Sequence, residues 1–261
     1  MKISFIGYGN LAKAMAHRLQ QGANYQLFAS APSLQEGKHS DGISTTSDNE
    51  KIIQDANVII LAVKPAKVAE VLNKIGRKLP ANSLLISVAA GITMATLQKY
   101  CNENQAIIRS MPNTPVALGL GAIPLFANLK VNQAQKQLAE QLFTELGLIH
   151  WAASDHEINR FTALSGSGPA YVFLFMEAMI QASQTLGLDA EIAKTFTTQT
   201  VKGALALAEE SPLSFTELRE KVTSAKGTTA AALEVLMNNH FSALIKTAMQ
   251  AAYERANELS Q

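Results

Sequence analysis

The stretch KISFIGYGNLAKAMAHRLQQG, residues 2–22, decides the fold. Its first six residues are almost all apolar or β-favouring, and its last dozen carry apolar residues at helical spacing. Between them Gly7-Tyr8-Gly9-Asn10-Leu11-Ala12 matches G-x-G-x-x-G/A. In that pattern the first glycine makes the tight turn, the second lets backbone approach a pyrophosphate, and the third small residue packs helix on strand. The N–H groups at the helix start attract the anion. The motif alone is weak; with a strand before it and a helix after it, it predicts dinucleotide binding.

Working outward, β-rich runs recur at 25–30 (YQLFAS), 57–63 (NVIILAV), 83–89 (SLLISVA) and 106–111 (AIIRSM). Helical spacing lies between them at 11–22 and 66–76, and a further helix at 131–146 should end at Gly147. Strands alternating with helices predict a parallel sheet covered on both faces, and the unbroken apolar character of NVIILAV fits burial on both sides. From about residue 154 the β-rich runs stop. Helical segments take over at 168–186, 189–209, 228–238 and 240–259, punctuated by Gly187 and Ser211-Pro212. The reading is therefore an α/β dinucleotide-binding domain, 1–153, and an all-α domain, 154–261.

Hydrophobic residues make up 48% of the 261, enough for a sizeable core. The net charge of +1 divides unevenly, with 14 basic and 9 acidic residues in 1–150 against 8 and 12 in 151–261. The basic half suits a phosphorylated ligand, but its excess is too small and diffuse for nucleic acid. Cys101 is the lone cysteine, which excludes an intramolecular disulfide and fits a reducing cytoplasm. The N-terminal apolar run is too short for a signal peptide. The most apolar stretch, YVFLFMEAMI at 171–180, is ten residues long and broken by Glu177, a buried helix rather than a membrane span. The five histidines form no pair at ligand spacing, so no metal site is expected.

Which dinucleotide binds is decided after the second strand, where an NAD site places an acid against the ribose hydroxyl. Here the chain reads QLFASAPSLQ, with Ser30 and Ser33 and no acid, which favours NADP(H) and leaves NAD(H) possible. Lys64 at the end of the third strand is either a catalytic lysine or a passenger on a loop whose backbone binds. Arg109 either pairs a substrate carboxylate or makes a structural ion pair. SGSGPAY (165–171) is not the G-x-S-x-G nucleophile turn, since no strand precedes it. TSAKGTT (223–229) opens a helix, where Thr228 and Thr229 are ordinary N-terminal residues and also potential anion ligands.

FIGYGN, LAVKP (61–65), SVAAGIT (87–93), RSMPNTP (109–115), TALSGSGPAY (162–171) and TSAKGTT occur in one order. That series closely resembles the pyrroline-5-carboxylate reductases of proline biosynthesis, over essentially the whole chain. The resemblance implies a Rossmann-like domain followed by a helical domain that interleaves with a second subunit, as a homodimer or a larger assembly of dimers. It implies hydride transfer from NAD(P)H to the imine carbon of 1-pyrroline-5-carboxylate, giving L-proline.

Carried over by position, Ile6, Gly7, Tyr8, Gly9, Asn10 and Leu11 would cradle the pyrophosphate. Ser30 and Asn49 would lie near the adenosine end. Ala62, Val63, Lys64 and Pro65 would sit at the switch point, and Ala89, Ala90 and Gly91 would admit the nicotinamide side. The substrate set would be Ser224, Gly227, Thr228 and Thr229, with Asp155 near the imine nitrogen and Thr229 the catalytic residue that positions that nitrogen. The family loop commonly reads SPGGTT, whereas this chain has Ala225 and Lys226 in place of proline and glycine. If position 226 needs a positive φ, a lysine there costs about 1 kcal/mol or more.

Overall fold

The computed structural model describes residues 1–22 and 25–260. The strands are β1 (Lys2–Ile6), β2 (Gln26–Ser30), β3 (Gly37–Lys38), β4 (Ser44–Thr46), β5 (Val58–Leu61), β6 (Leu84–Ser87), β7 (Ala106–Ser110), β8 (Gly121–Ala127) and β9 (Gly147–Trp151). They form one sheet in the order β3-β4-β2-β1-β5-β6-β7-β8-β9. The helices interspersed among them are α1 (Asn10–Gln20), α2 (Asn49–Ile53), α3 (Pro65–Ile75), α4 (Met94–Tyr100) and α5 (Gln133–Thr144). After β9 come α6 (Asp155–Phe161), α7 (Gly168–Thr185), α8 (Ala190–Glu210), α9 (Phe215–Lys221), α10 (Thr228–Asn238) and α11 (Phe241–Glu258).

The central strands are buried on both faces, as their apolar runs require: all four residues of β5 and of β6 are buried. Alternation splits them between two cores. Ile3, Phe5, Val58, Ile60, Leu84, Ile86 and Ile108 pack with Met15, Ala16 and Leu19 of α1 and Leu142 and Phe143 of α5. Ile59, Leu61, Leu85 and Ile107 pack with Val68, Leu72 and Ile75 of α3 and Leu97 of α4. Each such fully buried aliphatic side chain contributes about 1.5–3 kcal/mol of transfer free energy.

The sheet is mixed, not wholly parallel. β3 runs antiparallel to β4, and β7 antiparallel to β8. Strands β3, β4, β8 and β9 were not expected, and the last two each hide their strand character. Pro124 interrupts β8, a residue that cannot donate to a ladder. Gly147, expected as a helix end, instead opens β9 at φ 148, against Gly121, where any Cβ would lie 2.1 Å from the Gly121 carbonyl oxygen.

Two compact units divide the chain: Met1–Ser167 with Ala251–Gln261, and Gly168–Gln250. The boundary read at 153/154 falls one residue before the start of α6, whose N-cap is Ser154. α6 belongs with the sheet because buried Arg109 on β7 holds Asp155 and Asn159.

In the second unit, α7 and α8 pack together. α7 and α10 bury no residue within the chain. Phe173 (66% exposed), Leu174 (67%) and Phe196 (68%) stand in solvent. The short apolar run of α7 belongs to a longer helical stretch, Asp155–Thr185, which includes a π-helical turn at Thr162–Gly166. That stretch is long and apolar enough to cross a membrane, the one such helix among the described residues. Length therefore does not exclude a span here, and the apolar surface needs another explanation.

Candidate active site

Gly7 follows β1 at φ 90, and its N–H donates to the Ser30 carbonyl at 2.8 Å. A Cβ on it would lie 2.6 Å from the Ala62 carbonyl oxygen, so close backbone packing alone demands glycine. Gly9 differs. It precedes α1 with extended backbone, makes no side-chain cap, and a Cβ there would meet nothing within 4 Å. Packing within the chain does not demand this glycine, and the helix N–H groups beside it carry no side-chain cap, the arrangement that attracts an anion.

That space belongs to a cleft of about 570 Å³ at the carboxyl ends of β1, β2 and β5. Gly7, Tyr8, Gly9, Ser30, Asn49, Ala62, Val63 and Lys64 of the expected cofactor set line it together. β1 is flanked by β2 on one side and β5 on the other, so the cleft lies at the topological switch point, where ligands settle in open α/β sheets. Ile6 is buried at the end of β1, Asn10 and Leu11 open α1, and Pro65 is the first residue of α3. Ala89, Ala90 and Gly91 follow β6, the neighbour of β5.

At the end of β2 the Ser30 hydroxyl donates to Asn49 Oδ1 at 2.6 Å. The acids lining this end are engaged elsewhere: Asp48 caps α2 by accepting from Glu50 and Lys51, and Glu50 pairs with Lys78. Lys64 precedes the proline that opens α3 and is exposed. The sequence reading missed the helix face that continues from it: Lys67, Val71 and Lys74 also line the cleft. Their spacing of three, seven and ten residues from Lys64 was the available sign.

Tyr8 leans out of the glycine turn. Its hydroxyl donates to Asp41 Oδ2 at 2.6 Å, and His39 reaches the same oxygen at 3.1 Å. Burial pushes the Asp41 carboxyl up, but the Tyr8 hydroxyl, the Ile43 N–H and His39 outweigh it and hold it below the ordinary value. The loop between β3 and β4 is thus tied to the glycine turn after β1.

Arg109 takes the structural alternative. Its side chain is 2% exposed, pairs with Asp155 Oδ1 at 2.5 Å and donates to Asn159 Oδ1 at 2.7 Å. The Asp155 carboxylate also accepts the Met94 N–H at 3.1 and 3.2 Å. The carboxylate expected near the imine nitrogen is thus tied to β7 and α4, and its side chain stays 27% exposed. In SGSGPAY, Gly166 admits Met111, whose Cε would lie 3.2 Å from a Cβ there.

In the helical unit, α10 begins at Thr228 with Gly227 as its N-cap and no side-chain cap. Ser224 fills the remaining place: its Oγ would lie 2.4 Å from a Cβ on Gly227, and its carbonyl accepts the Gly227 N–H at 3.0 Å. Lys226 has φ 60, the left-handed conformation anticipated for a family glycine. Ser224, Thr228 and Thr229 are all exposed around the open helix end, and the positive end of the helix dipole favours an anion there.

Residues 155–259 match the family described as "Pyrroline-5-carboxylate reductase dimerisation", and residues 2–91 match "NADP oxidoreductase coenzyme F420-dependent". The pyrroline-5-carboxylate reductase of Pseudomonas aeruginosa is 39% identical over 265 residues, covering 100% of this chain and 97% of the relative.

The chain belongs to the pyrroline-5-carboxylate reductase family.

The reductase of Pisum sativum is 35% identical over 99% of this chain and 96% of its own length. Among solved structures, pyrroline carboxylate reductase of Plasmodium falciparum with NADP bound superposes with a TM-score of 0.92 at 31% identity, covering 100% of this chain and 98% of that one. The reductase of Coxiella burnetii gives 0.89 at 39% identity, covering 99% and 98%. Membership in this family makes the chain an oxidoreductase of proline biosynthesis. The dimerisation match covers the helices whose apolar faces are bare, and it indicates a homo-oligomer.

Proposed function

We propose that the chain reduces 1-pyrroline-5-carboxylate to L-proline in the cytoplasm, as a homodimer or an assembly of dimers, with NADPH preferred over NADH. The observation that carries the reading is the conjunction of an open Gly9 turn in a switch-point cleft with an uncapped GTT helix start. The cofactor preference is supported by the end of β2: Ser30, Ala31 and Pro32 line the cleft and offer no carboxylate to repel a 2′-phosphate.

Bound in the cleft, NADPH would supply a hydride to the carbon of the protonated imine, whose nitrogen would keep its proton. The chain's own residues have a modest chemical task, because a protonated imine is already electrophilic and orientation provides most of the acceleration. The Gly7–Leu11 turn holds the pyrophosphate, with Ser30 and Asn49 at the adenosine end. The Ala62–Pro65 loop lies along the nucleotide, chiefly through backbone, and Ala89–Gly91 borders the nicotinamide. Ser224, Gly227 and Thr228 hold the substrate carboxylate at the α10 N-terminus, where N–H groups bind an anion without a buried cation. Thr229 positions the ring nitrogen. Asp155 acts at one remove, by fixing the Met94 N–H at the start of α4.

The test is turnover of 1-pyrroline-5-carboxylate by the native chain with NADPH and with NADH, followed by loss of cofactor absorbance. Proline formation with a higher kcat/KM for NADPH is expected. Bound NADPH with no turnover would overturn the reaction, and a preference for NADH would overturn the reading of the β2 end.

A further inference from the structure

The last turn of the chain comes back to the sheet. α11 ends at Glu258, and its segment from Ala251 belongs to the dinucleotide-binding unit. There Asn159 Nδ2 donates to Asn257 Oδ1 at 2.9 Å and to Ser260 Oγ at 3.2 Å. The Ser260 hydroxyl also donates to the Ala256 carbonyl at 2.8 Å, which fixes the turn. Between these two anchors, Leu259 lies on Gly91. A Cβ on Gly91 would sit 2.6 Å from Leu259 Cβ and 2.7 Å from the Leu259 carbonyl oxygen.

The other end of the same loop is held by the same network. Gly91 lies three residues before Met94, whose N–H is taken by Asp155. Asp155 is held by Arg109, Arg109 by Asn159, and Asn159 by Asn257 and Ser260. The contacts close into a ring: loop, Asp155, Arg109, Asn159, chain end, and back to the loop at Gly91. Gly91 is buried, at φ 74. Its glycine is thus required by the chain end, independently of any ligand.

We infer that the segment Asn257–Ser260 is a positioning element for the loop 88–93, fixing the backbone that would hold the nicotinamide for hydride transfer. The inference rests on the reading above that Ala89–Gly91 borders the nicotinamide. Displacements of about 1 Å at a reacting pair cost up to about 100-fold in rate. Loosening the segment therefore lowers kcat more than it weakens NADPH binding, whose affinity comes mainly from the distant Gly7–Leu11 turn.

Asn257→Ala combined with Ser260→Ala tests this, because it removes both side-chain anchors on Asn159. Truncating Leu259 would not, since the atoms it sets against Gly91 are its Cβ and backbone. Two readouts are taken on the full chain with saturating NADPH: amide exchange across residues 88–94, and kcat with KM for both substrates. The expected result is faster exchange in 88–94 and a kcat lowered by between about fivefold and 100-fold, with the KM for NADPH within about threefold of native. Ser260→Ala alone, which removes one Asn159 partner, should give a smaller change in the same direction. Unchanged exchange in 88–94 would overturn the positioning role itself. Faster exchange with native kinetics would overturn the inference by its other support, the placement of this loop beside the nicotinamide.

Discussion

Gly7 and Ala62 are in backbone contact across the junction of β1 and β5, with a would-be Cβ on Gly7 2.6 Å from the Ala62 carbonyl oxygen. Gly9, two residues on, faces nothing within 4 Å. The two glycines of one motif thus answer to different forces, one to the protein and the other to its ligand. Gly7→Ala is expected to destabilise the fold by about 2 kcal/mol or more, since the positive φ alone costs about 1–2 kcal/mol. Gly9→Ala should leave Tm within a degree or two and weaken NADPH by about tenfold or more, the equivalent of about 1.4 kcal/mol. Thermal melts with NADPH titration check both; equal effects on Tm would contradict the distinction.

Lys226 has φ 60, where the family loop commonly carries glycine. Relieving that strain in Lys226→Gly should stabilise the loop by about 1 kcal/mol and raise Tm by about 2–4 °C. A melting temperature that stays the same or falls would mean that the lysine side chain returns as much as its backbone costs.

Burial pushes the Cys101 thiol from 9.0 to about 11. The fold favours the neutral thiol, so this group's contribution to stability is complete below pH 9.0 and is lost as pH rises through about 11. Iodoacetamide at neutral pH is expected to label Cys101 only in denaturant. Rapid alkylation of the native protein would show that the thiol is reached without unfolding.

Phe173 and Phe196 are 66% and 68% exposed on α7 and α8. Burying two such side chains against a second copy recovers about 3–6 kcal/mol, so Phe173→Glu with Phe196→Glu should shift sedimentation to the monomer and reduce activity. An unaltered assembly would place the contact on other helices.

The sequence spoke most clearly where one residue type answers one local demand. The Gly7-x-Gly9 turn, the doubly buried β5 run, and the starts of α8 and α10 lie within a residue of their expected places. It spoke least where the demand is tertiary. β8 was hidden by Pro124, and β9 by a Gly147 that looks like a helix stop until Gly121 is placed beside it. Residues 155–167 fall within the dimerisation match, while the buried Arg109 guanidinium joins α6 to the sheet, a contact no local signal announces. Asp155 was legible as a carboxylate, but its pairing with Arg109 and the Met94 N–H was not, because those partners are 46 and 61 residues away. Nothing local announces that Leu259 will fold back onto Gly91.

The central claim is that the α10 N-terminus receives the substrate and Thr229 positions its nitrogen. Thr229→Ala tests it most directly, because Thr229 is exposed and makes no helix cap, so its loss leaves the fold intact. Reduction of 1-pyrroline-5-carboxylate by NADPH is measured for the native and mutant chains, with NADPH affinity alongside. The account predicts that kcat/KM for the imine falls by about 10²-fold or more while NADPH binds as before. Native turnover in Thr229→Ala would contradict it and move the reacting nitrogen to another part of the chain.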